Sequence, residues 1–178
     1  MKTKLSLLFV SLLLLPGCDW FDKVDDVTVS TNLTMDIPVA VTGISKSAAL
    51  DTKIAVYNFS VSQDLSLANN EDIEPYLQKI KSIDLKSLKV TVTGLTTGQT
   101  INTISLSVTD VGALCTQTNI TSTSNSFTPQ IDAAILKMAE DKLKSDKKIT
   151  VTVSGNTNAI MSFTVNLDFE TDIVANAL

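Results

Sequence analysis

Between Val27 and Val41 the chain alternates. Val27, Val29, Thr31, Leu33, Met35, Ile37, Val39 and Val41 take every second position, and serine, threonine, asparagine and aspartate fill most of the places between. Successive side chains of a strand point to opposite faces, so this period of two gathers all of them on one side. A helix would scatter them around its axis. The run therefore predicts one long half-buried strand, or a strand pair bent at a bulge. Pro38 lies on the polar face and has no N–H to give to a ladder, which points to an edge or a bulge.

The same pattern returns downstream. A second strand is expected in KIAVYNFSVS, with Tyr57, Phe59 and Val61 on one side. Leu88, Val90 and Val92 mark another in SLKVTVTG, and Ile104, Leu106 and Val108 another in TINTISLSVTD. Near the end, KKITVTVSGNTNAIMSFTVNLDF alternates again, with Met161, Phe163, Val165, Leu167 and Phe169 on the inner face. Two segments change period. Ile73, Tyr76, Leu77 and Ile80 share a helical face, with Asp72 as the expected N-cap and Pro75 in the first turn, which predicts a short helix over about 72–82. Thr128 followed by Pro129, with Ile131, Ile135 and Met138 as an apolar stripe, predicts a second over about 129–144.

Together these elements predict a mainly β chain: a β-sandwich or partly closed barrel of about 7–9 antiparallel strands with two short helices. Residues 27–178 read as a single β-rich domain. Within it, residues 72–109 and 129–170 each run helix, strand, turn, strand, and Val92-Thr93-Gly94 echoes Val153-Ser154-Gly155. The echo fits either a duplication or two similar answers to one packing problem.

The N-terminus is of another kind. Lys2 and Lys4 precede an apolar core from Leu5 to Leu15, closed by Pro16, Gly17 and Cys18. That core is shorter than the roughly 20 residues a spanning helix needs, and its layout is that of a secretory signal peptide. Leu15-Pro16-Gly17-Cys18 resembles the lipobox of bacterial lipoproteins, with leucine three residues before the cysteine and a small residue directly before it. The resemblance implies a cleaved signal peptide over residues 1–17 and lipid attachment at Cys18, with the membrane held through its acyl chains. The alternative is an ordinary cleaved signal peptide with an incidental cysteine. A lipidated acidic linker, residues 18–26, would follow, with Asp22, Asp25 and Asp26 solvated rather than binding calcium.

Composition removes several functions. The sequence holds no histidine and no arginine, which excludes Ser–His and Cys–His catalysis, the usual zinc ligand sets and arginine clamps. No catalytic, cofactor-binding or metal-ligating residue is predicted, and the chain is read as not an enzyme. Residues 18–178 carry twelve lysines against nineteen acids, a net charge of −7, which argues against nucleic acid as a partner. Cys115, between Leu114 and Thr116, is expected as a small buried hydrophobe.

Behind the lipobox, the Thr/Ser-rich, arginine-free alternation resembles small uncharacterised lipoproteins of Bacteroidota-type bacteria, commonly β-sandwich domains. The resemblance implies a membrane-anchored cell-envelope lipoprotein serving as a non-enzymatic interaction or structural module, with an envelope protein as its unidentified partner. A carrier of a lipid or other apolar ligand, held between helices and sheet, stays open beside it. Asp19 directly after the cysteine resembles the inner-membrane retention signal of enteric-type lipoproteins, whereas the acids from Asp19 to Asp26 resemble a surface-export signal of the Bacteroidota group; the acidic run favours the outer membrane and leaves the facing side open.

Overall fold

A computed structural model describes residues 26–43 and 56–177. The predicted signal peptide, Cys18, Asp22 and Asp25 lie outside these residues. Eight strands are described: β1 (Asp26–Val41), β2 (Tyr57–Ser66), β3 (Ile80–Thr93), β4 (Thr100–Val108), β5 (Gly112–Thr121), β6 (Ser126–Phe127), β7 (Lys148–Thr157) and β8 (Met161–Asn176). One α-helix, α1 (Ala133–Asp146), and two 3-10 turns, Leu67–Asn69 and Glu74–Lys79, complete them.

The pairing follows one rule. β1 pairs with β8, β2 with β7, β3 with β6 and β4 with β5, all antiparallel. The chain is thus a long hairpin whose tip is the β4–β5 turn. Rolling that hairpin brings β3 against β8 and β4 against β7. The result is two four-stranded sheets, β1-β8-β3-β6 and β2-β7-β4-β5. This is the strand order of a jelly roll, and the sandwich, not the barrel, is the form realised.

The inner faces are those the alternation marked. Leu33, Ile37, Val39 and Val41 of β1 face inward with Val90 and Val92 of β3 and Val165, Leu167 and Phe169 of β8. Ile101, Ile104, Leu106, Val151 and Val153 answer from the second sheet. The ring of Phe59 on β2 meets that of Phe163 on β8 edge to face, with centroids 5.3 Å apart, and so ties the sheets together. β1 is a single unbroken strand of sixteen residues, paired at every position with β8. Pro38 sits on this edge strand, where its missing N–H interrupts no ladder.

Both predicted helices are displaced. The first shrinks to the 3-10 turn Glu74–Lys79, capped by Ile73 without a side-chain bond, and Ile80 already belongs to β3. Pairing of β3 with β8 from Ile80 onward claims the rest of the expected helix and leaves six residues for the turn. Asp72 accepts from the Thr31 hydroxyl at 3.1 Å instead, pinning the turn to β1. The second helix begins at Ala133, because Asp132 and not Thr128 caps it, accepting from the N–H groups of Ala134 (2.8 Å) and Ile135 (3.4 Å). Pro129 consequently precedes the helix. Its buried face is Ala139, Glu140 and Leu143, whereas Met138 is 47% exposed. Asp26 also departs from the linker reading: it opens β1 and pairs with Lys81 at 2.5 Å.

The echo of Val92-Thr93-Gly94 in Val153-Ser154-Gly155 joins glycines in different settings. Gly94 follows the end of β3 with φ +90°, while Gly155 lies within β7. β3, β4, β7 and β8 are all inner strands of the two sheets.

Candidate functional site

The register gives the sandwich two distinct ends. Asp26 pairs with Asn176 and Ile80 with Ala175, so the chain enters β1 and leaves β8 at the same end. That end also carries the 3-10 turns, the β4–β5 turn and α1, which leads into β7. The opposite end holds the turns 94–99, 122–125 and 158–160. Cys18 lies eight residues before Asp26, and eight residues reach at most about 29 Å. The proposed attachment point is therefore tied to the helix-bearing end. The other end stands off by the length of β1, sixteen residues or about 50 Å.

Among the described residues the charged side chains form surface pairs rather than a cleft. On the outside of the β1-β8-β3-β6 sheet, Lys86 lies 2.7 Å from Asp84 and 3.1 Å from Asp172. Hydrogen bonds to Asp84 first and Asp172 second raise the Lys86 ammonium above its ordinary range. The Ser30 hydroxyl, then Lys86, hold Asp172 below the ordinary carboxylate value. On the other sheet Lys148 sits 2.7 Å from Asp64, lowering Asp64 with help from the Thr150 hydroxyl. Beside α1, Lys142 bridges Asp110 (3.1 Å) and Asp146 (3.2 Å). No group of three residues among those described is arranged to hold a metal ion.

Two depressions open on the outside of the β1-β8-β3-β6 sheet. One of about 380 Å³, at the end away from α1, is lined by Pro38, Ala40, Thr93, Gly94, Ser162 and Thr164, together with backbone above the core. It exists because Ala40, Ser162 and Gly94 offer almost no side chain beside the bulkier row Pro38, Thr164 and Thr93. A second, of about 250 Å³, lies over the middle of the same sheet between Asn32, Ser87, Lys89, Asp168 and Glu170. There the buried Oδ1 of Asp168 has no hydrogen-bond partner.

Cys115 is half-buried against the core, and burial pushes its thiol up to about 11. At neutral pH that leaves almost no thiolate, so it packs rather than reacts. One polar residue escaped the sequence reading. Glu140 on α1 is 8% exposed, and its Oε1 accepts from the backbone N–H of Leu85 at 3.1 Å. It reaches β3 beside a break in register between Leu85 and Ser87. The signal was an acid flanked by Ala139 and Leu143 on the packing face, legible only once the helix start was known.

No protein-family model matches the chain, and no curated protein matches it. Solved structures do resemble it at a distance. A decameric BFDV capsid protein aligns at 10% identity and TM-score 0.43, covering 83% of this chain and 99% of its own. A turnip yellow mosaic virus structure aligns at 10% identity and TM-score 0.44, covering 99% and 90%. A Desmodium yellow mottle tymovirus structure aligns at 13% identity and TM-score 0.38, covering 99% and 98%. The jelly-roll assignment rests on strand order and register, not on these likenesses.

Proposed function

We propose that this protein is a cell-envelope lipoprotein, held to its membrane by acyl chains on Cys18, whose jelly roll serves as a non-enzymatic interaction or structural module. The observation that carries the reading is the quartet Leu15-Pro16-Gly17-Cys18 closing an apolar core behind Lys2 and Lys4. Two or three acyl chains anchor stably where a single chain does not. The acids between Asp19 and Asp26 favour an outer-membrane address. The absence of histidine and arginine supports a non-enzymatic role. The carrier alternative calls for an apolar cavity between helices and sheet, whereas the two larger depressions lie on the outer face of the β1-β8-β3-β6 sheet. The partner proposed is another envelope protein.

Blocking the lipoprotein signal peptidase is expected to accumulate a longer, uncleaved precursor, and Cys18→Ala to release the domain from membranes. Unchanged processing under that block would defeat the reading. Protease digestion of intact cells decides the facing side, since only a surface-facing domain would be cut.

A further inference from the structure

Among the described residues four strands stand at sheet edges, and three are guarded. On β1, Pro38 offers no N–H, Asn70 Nδ2 donates to the Asn32 carbonyl at 3.1 Å, and β2 runs alongside. β2 is shielded in turn by β1 and bears Asp64. β6 has only two residues, and the length of β3 it leaves bare carries Lys81, Lys86 and Lys89 under α1 and Glu140. Charges, prolines and covering helices are the devices that keep an edge from pairing with another chain.

β5 lacks them. No charged residue occurs between Asp110 and Asp132, and no proline falls within Gly112–Thr121. Of α1, Ile135 stands over Gly112 at the start of β5. The register shifts beside Leu114, and Asn119 takes a positive φ of 56°. These irregularities bracket a regular window, Cys115 to Thr118, paired in step with Leu106 to Thr103 of β4. Thr116, Gln117 and Thr118 are exposed there.

We propose that this window pairs antiparallel with the same window of a second copy, joining two β2-β7-β4-β5 sheets into one. An open edge recognises extended backbone and nothing else so well. A second copy fits because the contact opposes no like charges, although the chain as a whole is acidic. Threonine side chains at positions 116 and 118 would meet across the two-fold axis, a favourable cross-strand pairing. That axis stands perpendicular to the sheet, so the two β1 starts lie at opposite ends of the dimer. If Cys18 is lipidated, both leads reach one bilayer when the dimer lies flat; the pairing itself does not depend on the anchor. Centred on Gln117, three residue pairs make a weak contact, which confinement to a membrane would strengthen.

Sedimentation of the full chain in detergent, over a concentration series, tests this. Association to a dimer is expected, weakened at least tenfold by Thr116→Lys or Thr118→Lys with melting unchanged. In a Cys18→Ser, Cys115→Ser background, Gln117→Cys should form disulfide-linked dimers, and Ser60→Cys on β2 should not. A chain monomeric at every concentration overturns the proposal. So does a dimer that both lysine variants leave intact, or one that crosslinks through Ser60→Cys alone.

Discussion

Gly155 shows how a single residue can fix the approach of two strands. It pairs with Phe59 on one side and Ile104 on the other. A Cβ built there would lie 2.0 Å from the Thr103 carbonyl oxygen and 2.9 Å from Phe59 Cζ. The first contact is with backbone and cannot be relieved by turning a side chain. Gly155→Ala is therefore expected to cost about 3 kcal/mol through overpacking, read as a melting temperature lower by roughly 6–12 °C. Gly98, with nothing within 4 Å of its added Cβ, is the control: alanine there meets only the strain of φ +87°. A Gly155→Ala protein melting at least as high as Gly98→Ala would refute the close-approach account. The sequence singled out Gly155 as part of an echo, and placed it before a polar turn. It could not show that the strand runs on to Thr157, because the constraint on this residue comes from β4, fifty residues earlier. Buried Thr157 and Thr171 likewise look polar in sequence yet are satisfied locally, donating to Ala159 O (2.7 Å) and Phe169 O (3.0 Å).

At the scale of elements, the strands were legible and the helices only half so. A strand needs just its period, and β1, β3, β4, β7 and β8 carry theirs in aliphatic residues whose inward face the alternation identifies. A helix needs a start as well, and two caps competed for α1. Asp132 won over Thr128 because its carboxylate satisfies two first-turn N–H groups. The four-residue difference leaves Ile131 before the helix, and the buried face runs through Ala139, Glu140 and Leu143, with Met138 outside. The consequence is functional for the fold: α1 covers the bare length of β3 and supplies a side-chain acceptor to its Leu85 N–H. Glu140→Ala leaves that donor buried and unpaired and should cost about 1–3 kcal/mol. Glu140→Gln keeps an amide oxygen in place and should cost distinctly less. Chemical denaturation of both variants reads the difference, and equal losses would mean that the hydrogen bond to β3 is not what matters.

For the whole molecule, sequence pattern established a sandwich-forming set of strands but not their order. Order is carried by pairings such as β1 with β8, separated by more than a hundred residues, and no periodicity encodes which partner a strand takes. The electrostatics are simpler. With no histidine, nothing in the side-chain inventory is set to titrate near neutrality. Asp64, Asp146 and Asp172 are depressed below 3.8, so their stabilising share is present above that value and is lost as pH falls through their lower folded values. Lys86, Lys137, Lys142 and Lys148 are raised above 10.5, so theirs is present below that value and is lost as pH rises past it. The Cys115 thiol, raised from 9.0 to about 11, favours the folded state less once unfolded chains ionise above 9.0. Thermal stability should therefore be flat from about pH 5 to about pH 9 and fall on both sides; a step near pH 6–7 would contradict this. Such a domain is the one proposed to be held at a membrane behind its short acidic lead. The mass of the N-terminal peptide of the native protein tests that account most directly. The account predicts a chain beginning at Cys18 and bearing a thioether-linked diacylglyceryl group. A mature chain that begins elsewhere, or carries Cys18 as a free thiol, would contradict it.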